Sequence, residues 1–146
     1  MTKKKKPKIT HEKIKPWKAK ADQIYSLYVR LEGSDENGDC TCVTCGKKLP
    51  WKGTGRLHAG HYIVRQEINT RYDDRNVHPQ CETCNSYHEG RKGEYTLFLQ
   101  KKYGKGIINK LVELSKCGRI WKWFDYKEVF EMYKEKFRYL SQEKEL

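Results

Sequence analysis

Apolar residues recur at helical spacing towards both ends of the chain and lose that spacing in the middle. Ile24, Leu27, Tyr28 and Leu31 fall at i, i+3, i+4 and i+7, which predicts a helix with one buried face. The run Gly33-Ser-Asp-Glu-Asn-Gly-Asp39 ends it, since each of its residues favours turns or caps. From Cys40 to Cys84 no helical period is sustained. Gly46, Pro50, Gly53, Gly55, Gly60 and Pro79 divide that stretch into loops and short strands. Beyond Cys84, Tyr95, Leu97 and Phe98 predict a helix that Gly104 stops, and Ile107, Ile108, Leu111, Val112 and Leu114 predict the next. Cys117-Gly118 is a break, followed by the aromatic cluster Trp121, Trp123 and Phe124. Asp125 with Glu128 has the chemistry of an N-cap and capping box. Val129, Phe130, Tyr133, Phe137 and Leu140 then give a last helix its buried side.

Composition adds a second constraint. With 36% hydrophobic residues and a mean hydropathy of -1.00, the 146-residue chain suits one small core that needs further help to hold together. Its charge is lopsided: 31 Lys and Arg against 19 Asp and Glu give +12, and residues 1–20 alone carry nine lysines and one acid. So dense a run is expected to form a flexible basic arm over 1–20, ahead of a single domain over 21–146. A polyanionic partner follows, with nucleic acid ahead of a membrane surface, because Pro7 and Pro16 interrupt any amphipathic basic helix there. No apolar run is long enough to span a bilayer. The opening Met-Thr-Lys-Lys-Lys-Lys lacks the apolar core of a secretion signal, so the expected setting is the cytoplasm. In that reducing compartment cysteines read as metal ligands before disulfides.

Their spacing agrees. Cys42-Val-Thr-Cys45-Gly46-Lys47 and Cys81-Glu-Thr-Cys84-Asn85 are two CxxC pairs, able to place four thiolates around one tetrahedral zinc at roughly 2.3 Å. Gly46 suits a knuckle whose backbone N–H groups turn towards the sulfurs. The irregular region between the pairs has no core of its own, so zinc would supply much of its folding free energy. Cys40 has the wrong spacing for the knuckle, and Cys117 reads as a packed free thiol.

The segment between the pairs carries further chemistry. His58-Ala-Gly60-His61, then Arg75-Asn76-Val-His78-Pro-Gln-Cys81, then Cys84-Asn85-Ser-Tyr-His88-Glu89 has the order of parts of a ββα-metal hairpin. On a helix opening at Cys84, Asn85, His88 and Glu89 would share one face and could hold a divalent cation opposite His61. Phosphodiester hydrolysis needs such a grouping: a base for water, a Lewis acid on the phosphate and charge relief on the leaving oxygen. His61, with an ordinary pKa of about 6.5, suits the base role. Mg²⁺ or Mn²⁺ is the expected catalytic cation. Arg65, Arg71 and Arg75 could clamp neighbouring phosphates, and Lys47, Lys48, Lys52 and Arg56 form a patch for sequence-independent DNA affinity.

At these residues the chain resembles the HNH endonucleases of treble-clef zinc type and, more narrowly, the phage NinG/Rap recombination endonucleases. The resemblance is carried by Ala21-Asp22…Tyr25-Ser26…Tyr28-Val-Arg30, the first CxxC with Gly46-Lys47, Ala59-Gly60-His61-Tyr62, Tyr72-Asp-Asp-Arg75-Asn76-Val-His78-Pro-Gln-Cys81, Cys84-Asn85 and Gly93-Glu94-Tyr95. It spans roughly residues 20–140. It implies a metal-dependent endonuclease that cuts branched DNA, such as Holliday junctions and D-loops, in phage recombination, leaving 5′-phosphate and 3′-hydroxyl ends. By the same resemblance His61 matches the general base, Asn76 the residue that holds the hairpin loop, and Asn85 the metal-side residue. Gly60 departs from the broader HNH pattern, in which many enzymes place an Asp metal ligand there, so the cation would take His58, His88, Glu89 or waters.

The expected fold is therefore α+β: a zinc-bound treble-clef, ββα-metal core over 40–92, flanked by an N-terminal helix and a helical part over 93–146. A homodimer joined through the aromatic C-terminal helix would suit a two-fold junction. The rival function is a non-catalytic zinc module that binds nucleic acid and has no need of His61 or Asn85. A third is an interaction protein that recruits partners through its C-terminal helices.

Overall fold

A computed structural model describes residues 11–146, with side chains described from Lys13 onward. The elements run α1 (His11–Glu32), β1 (Asp39–Thr41), β2 (Lys48–Pro50), β3 (His58–His61), α2 (Ile68–Arg71) and β4 (Val77–Gln80). A π-helical turn over Thr83–Tyr87 follows, then α3 (Lys92–Tyr103), α4 (Ile107–Ser115) and α5 (Trp123–Lys144). Helices with two small antiparallel sheets make this an α+β protein, as expected.

The frame is a side-by-side pair of 22-residue helices, α1 and α5. Trp17 packs on Phe130, Tyr25 and Tyr28 on Tyr133, and Lys144 reaches the carbonyls of Glu32 and Ser34, so the two helices run parallel. Ala21, Tyr25 and Val29 from α1 meet Tyr126, Val129 and Tyr133 from α5, with Val77 of β4 beneath them. A second cluster gathers Leu31, Cys40, Trp51 and Leu57 around the cysteines, and a third joins Tyr95 and Leu99 of α3 to Ile107 and Leu111 of α4.

Two expectations change here. The second half of the anticipated arm, residues 11–20, is the first half of α1. Ile14 and Trp17 pack against the α1–α5 core, while Lys13, Lys18 and Lys20 lie over the rings of Trp123, Tyr126 and Trp17. Burial and cation–π contacts thus offset the charge density that argued for an arm. Pro16 lies inside α1 and removes one i→i−4 hydrogen bond, yet the helix continues through it, held by the packing of Ile14 and Trp17 on the core. Residues 1–10, the rest of that arm, lie outside the described residues. Secondly, α5 begins two residues before Asp125, which is not its cap. The Asp125 carboxylate instead accepts the Lys122 N–H at 2.8 Å and an Arg119 bond at 2.5 Å.

The sheets place the chemistry. β1 and β2 pair with Cys40 opposite Leu49, and the turn beyond β1 closes by Cys42 N–H to Lys47 O and Gly46 N–H to Cys42 O. Gly46 supplies the left-handed φ of 78° that this turn requires. β3 and β4 pair with His58 opposite Gln80 and His61 opposite Val77. No described helix is long and apolar enough to cross a membrane.

Candidate functional site

The two CxxC segments meet. The sulfurs of Cys42, Cys45, Cys81 and Cys84 all lie within 4.8 Å of one another, with Cys45 and Cys81 3.7 Å apart. Tetrahedral zinc at roughly 2.3 Å per sulfur requires sulfur separations of about 3.8 Å, so this set could hold a metal such as zinc. Burial opposes ionisation of Cys42, but the Thr44 hydroxyl and the Cys81, Thr44 and Cys45 backbone outweigh it and bring its pKa down to about 6. Arg91 Nε donates to Cys84 Sγ at 3.2 Å. Cys40 stays apart, its buried thiol donating to Arg30 O at 2.8 Å and its pKa pushed up to about 11 by burial. Cys117 is exposed on the loop after α4, contrary to the packed thiol expected.

Beside this cluster, the β3–β4 hairpin presents His61. Its Nε2 lies 2.9 Å from the Arg71 carbonyl, which can only accept, so Nε2 carries the proton and Nδ1 keeps its lone pair. Burial lowers the His61 pKa to about 4, leaving a neutral ring at physiological pH. Asn76 is fully buried and holds the loop that follows β3. Its Oδ1 accepts Ile63 N–H at 2.7 Å, and its Nδ2 donates to Ile63 O at 3.1 Å and Thr70 O at 3.0 Å. Tyr95 OH donates to Gly60 O at 2.6 Å, fixing the strand between His58 and His61.

His61, Asn85 and Glu89 line one open cleft of about 300 Å³, with Arg65, Gln66 and Lys92 on its walls. The Lys92 ammonium donates to the carbonyls of His61 and Tyr62, and burial lowers its pKa. His58 Nδ1 lies 3.5 Å from the Asn85 amide. The shared helical face expected for Asn85, His88 and Glu89 does not form. The π-helical turn ends at Tyr87, and Glu89 and Arg91 take left-handed φ of 51° and 45° before α3 begins. His88 is exposed and does not line the cleft. Among the described residues, only the four cysteines form a group of three or more His, Cys, Asp or Glu whose ligand atoms converge.

The basic residues divide into two sets. Lys47, Lys48, Lys52 and Arg56 are exposed around the cysteine hairpin, and Arg65 is exposed at the cleft. Arg71 is buried: Nε and Nη2 donate to Asp22 at 2.8 and 2.5 Å, and Nη1 donates to Arg65 O at 2.8 Å. Arg75 is closed on Asp73 at 2.7 Å. Neither arginine offers a free fork to a phosphate, which corrects two of the three clamps anticipated. Asp22, Lys92 and Tyr95 support the site through Arg71, the His61 carbonyl and the Gly60 carbonyl, and have no role assigned from the sequence. Asp22 and Arg71 are 49 residues apart, so no local pattern links them.

A family model described as Bacteriophage Lambda NinG protein matches residues 1–144. The chain belongs to the NinG family. Among its relatives, Protein ninG of Salmonella phage P22 is 26% identical over 135 residues, covering 90% of this chain and 62% of the relative. Protein ninG of Escherichia phage lambda is 25% identical over the same span, with the same two shares. Protein ninG of Escherichia phage 933W is 27% identical over 108 residues, 71% of this chain and 50% of the relative. This NinG-family chain therefore spans between half and two thirds of the curated relatives it matches. No solved structure matches it significantly.

Proposed function

We propose that this NinG-family chain is a metal-dependent HNH-type DNA endonuclease of treble-clef zinc type, acting on branched DNA in phage recombination in the host cytoplasm. The observation that carries the reading is the His61–Arg71 hydrogen bond at 2.9 Å beside a cleft that also holds Asn85, Glu89, Arg65 and Lys92. It leaves a neutral imidazole with Nδ1 free to accept a proton, which a general base for water must have. A ring held near pKa 4 is a weak base alone. A phosphodiester drawn into the cleft would raise it by favouring the imidazolium.

In this reading a water attacks in line with the leaving 3′-oxygen and gives its proton to His61 Nδ1. Arg65 and Lys92 hold the phosphate by charge. Asn76 keeps the loop after β3, and so Arg71 O, in place. Asn85 with His58 at 3.5 Å, and Glu89 in the same cleft, suit a hard cation that keeps most of its waters. When bound, Mg²⁺ or Mn²⁺ would polarise the phosphate and relieve charge on the leaving oxygen. Zinc on the four cysteines would fix the hairpin without joining the chemistry.

A second reading, a non-catalytic zinc module for nucleic acid, is favoured by one observation: among the described residues the converging ligand set is cysteine only. Cleavage of labelled four-way-junction and matched linear duplex DNA with Mg²⁺ or Mn²⁺ separates the two. EDTA and His61→Ala serve as controls. Cutting that prefers the junction and needs both metal and His61 supports the nuclease, whereas tight binding without cutting under either cation overturns it.

A further inference from the structure

We propose that Asp22 is a positioning residue for His61, acting through both the side chain and the backbone carbonyl of Arg71; this rests on the reading of His61 as the general base. Asp22 lies on α1, far from the hairpin in sequence, and forms no hydrogen bond to His61 itself. Its carboxylate takes Arg71 Nε at 2.8 Å and Nη2 at 2.5 Å, while Tyr72 OH donates to the same carboxylate at 2.7 Å. The third arm of the guanidinium donates to Arg65 O at 2.8 Å. Arg71 therefore closes the loop from residue 65 to residue 71 with its side chain, and turns its own carbonyl onto His61 Nε2 at 2.9 Å.

The geometry argues for orientation beyond mere adhesion. An apolar pair would join α1 to α2 at least as well, since a buried ion pair gains little net stability over well-packed hydrophobic groups. A planar fork gripped on all sides fixes direction instead, and with it the carbonyl two bonds beyond the Cα. Asn76 holds the adjacent carbonyl, Thr70 O, at 3.0 Å, so the peptide group that precedes Arg71 is tethered as well as its side chain. Should Arg71 O drift, His61 would lose its single acceptor and populate the other tautomer, with the proton on the atom that must receive one.

The test uses the full chain prepared with zinc supplied. Asp22→Asn keeps the shape and removes the charge. Side-chain ¹⁵N spectra of His61 are recorded alongside cleavage kinetics and a thermal midpoint. Expected are a single Nε2–H tautomer in the wild type and a mixture in Asp22→Asn. With them come a kcat lower by at least roughly tenfold and a KM within about twofold. Asp22→Glu is expected to recover part of kcat. A lower midpoint with the wild-type tautomer and kcat would overturn the proposal and leave the pair as a structural staple. If Asp22→Asn does not fold, Tyr72→Phe loosens the same carboxylate and is judged by the same three readings. A wild type that never cuts would sink the nuclease reading, while the tautomer spectra still decide whether Asp22 orients His61.

Discussion

Gly60 and Gln80 compete for one space between the paired strands. A Cβ on Gly60 would stand 2.1 Å from Gln80 Oε1, and Gln80 is fully buried with its amide donating to Thr44 Oγ1 at 3.1 Å and Gly90 O at 2.9 Å. The side chain cannot swing away without giving up both bonds. A side chain at position 60 therefore requires Gln80 to move. Gly60→Ala is expected to destabilise the protein by about 2 kcal/mol, the usual cost of overpacking. Pairing it with Gln80→Ala should recover part of that loss in a urea-denaturation cycle.

Asn76→Ala leaves Ile63 N–H and Ile63 O without their partner inside the protein, while Thr70 O keeps only the backbone N–H groups of Tyr72 and Asp73. A loss of about 3 kcal/mol is expected, from the desolvation cost of buried groups left unpaired. Asn76→Asp keeps the acceptor for Ile63 N–H, loses both donors and adds a charge, so it should be no milder. Chemical denaturation of both variants checks this.

Acid should weaken the fold before the carboxylates titrate. Tyr95 OH donates to Gly60 O and so accepts from His78 Nδ1 at 3.3 Å, while Tyr103 OH meets His78 Nε2 at 3.0 Å. That pattern suits a neutral ring, and burial lowers the His78 pKa to about 3 and that of His61 to about 4. The unfolded chain takes up these protons near pH 6.5, so stability is full above that pH and falls as the pH drops towards 4. Each histidine contributes a slope of at most about 1.4 kcal/mol per pH unit. Urea midpoints between pH 7 and 4 should show this slope, and His78→Gln should flatten it.

Metal analysis of the purified chain is expected to find one zinc per molecule, lost on Cys81→Ser or Cys84→Ser and kept on Cys40→Ala, since only the latter lies outside the four-sulfur cluster. Chelation should loosen the segment from Cys40 to Arg91 while leaving the α1–α5 pair helical, a difference that limited proteolysis can read.

On the proposed nuclease reading, DNA affinity falls with salt, and removing an exposed phosphate contact flattens that dependence by roughly 0.9 per contact in log–log slope. Lys47→Ala, Lys48→Ala and Arg65→Ala are expected to do so, whereas Arg75→Ala, whose fork is closed on Asp73, should change it little. Fluorescence anisotropy across a salt series measures each.

Much of the framework was legible in the order of residues. Ala59-Gly60-His61, Asn76 and the two CxxC pairs announce themselves because metal knuckles and short hairpins are local devices, with ligands and turn residues at short fixed spacings. The third and fourth helices were equally plain, since Ile107 and Leu111 repeat at helical period and are buried. The π-helical turn around Cys84 was not. Asn85, His88 and Glu89 have helical spacing, yet the left-handed backbone at Glu89 and Arg91 turns the chain before a helical face can form. Lysine density hid the first turns of α1, whose stability comes from α5, more than a hundred residues away.

The sequence alone determined what is decided by neighbours along the chain: the α+β class, the four-cysteine set and the histidine of the hairpin. Tertiary structure alone decided which of the charged side chains remain free. Arg71 and Arg65 read alike as letters, but α1 brings Asp22 against Arg71 and leaves Arg65 at the open cleft. Burial makes an unpaired charge costly, so the partner that packing supplies, and not the residue type, sets whether an arginine organises the interior or faces a substrate.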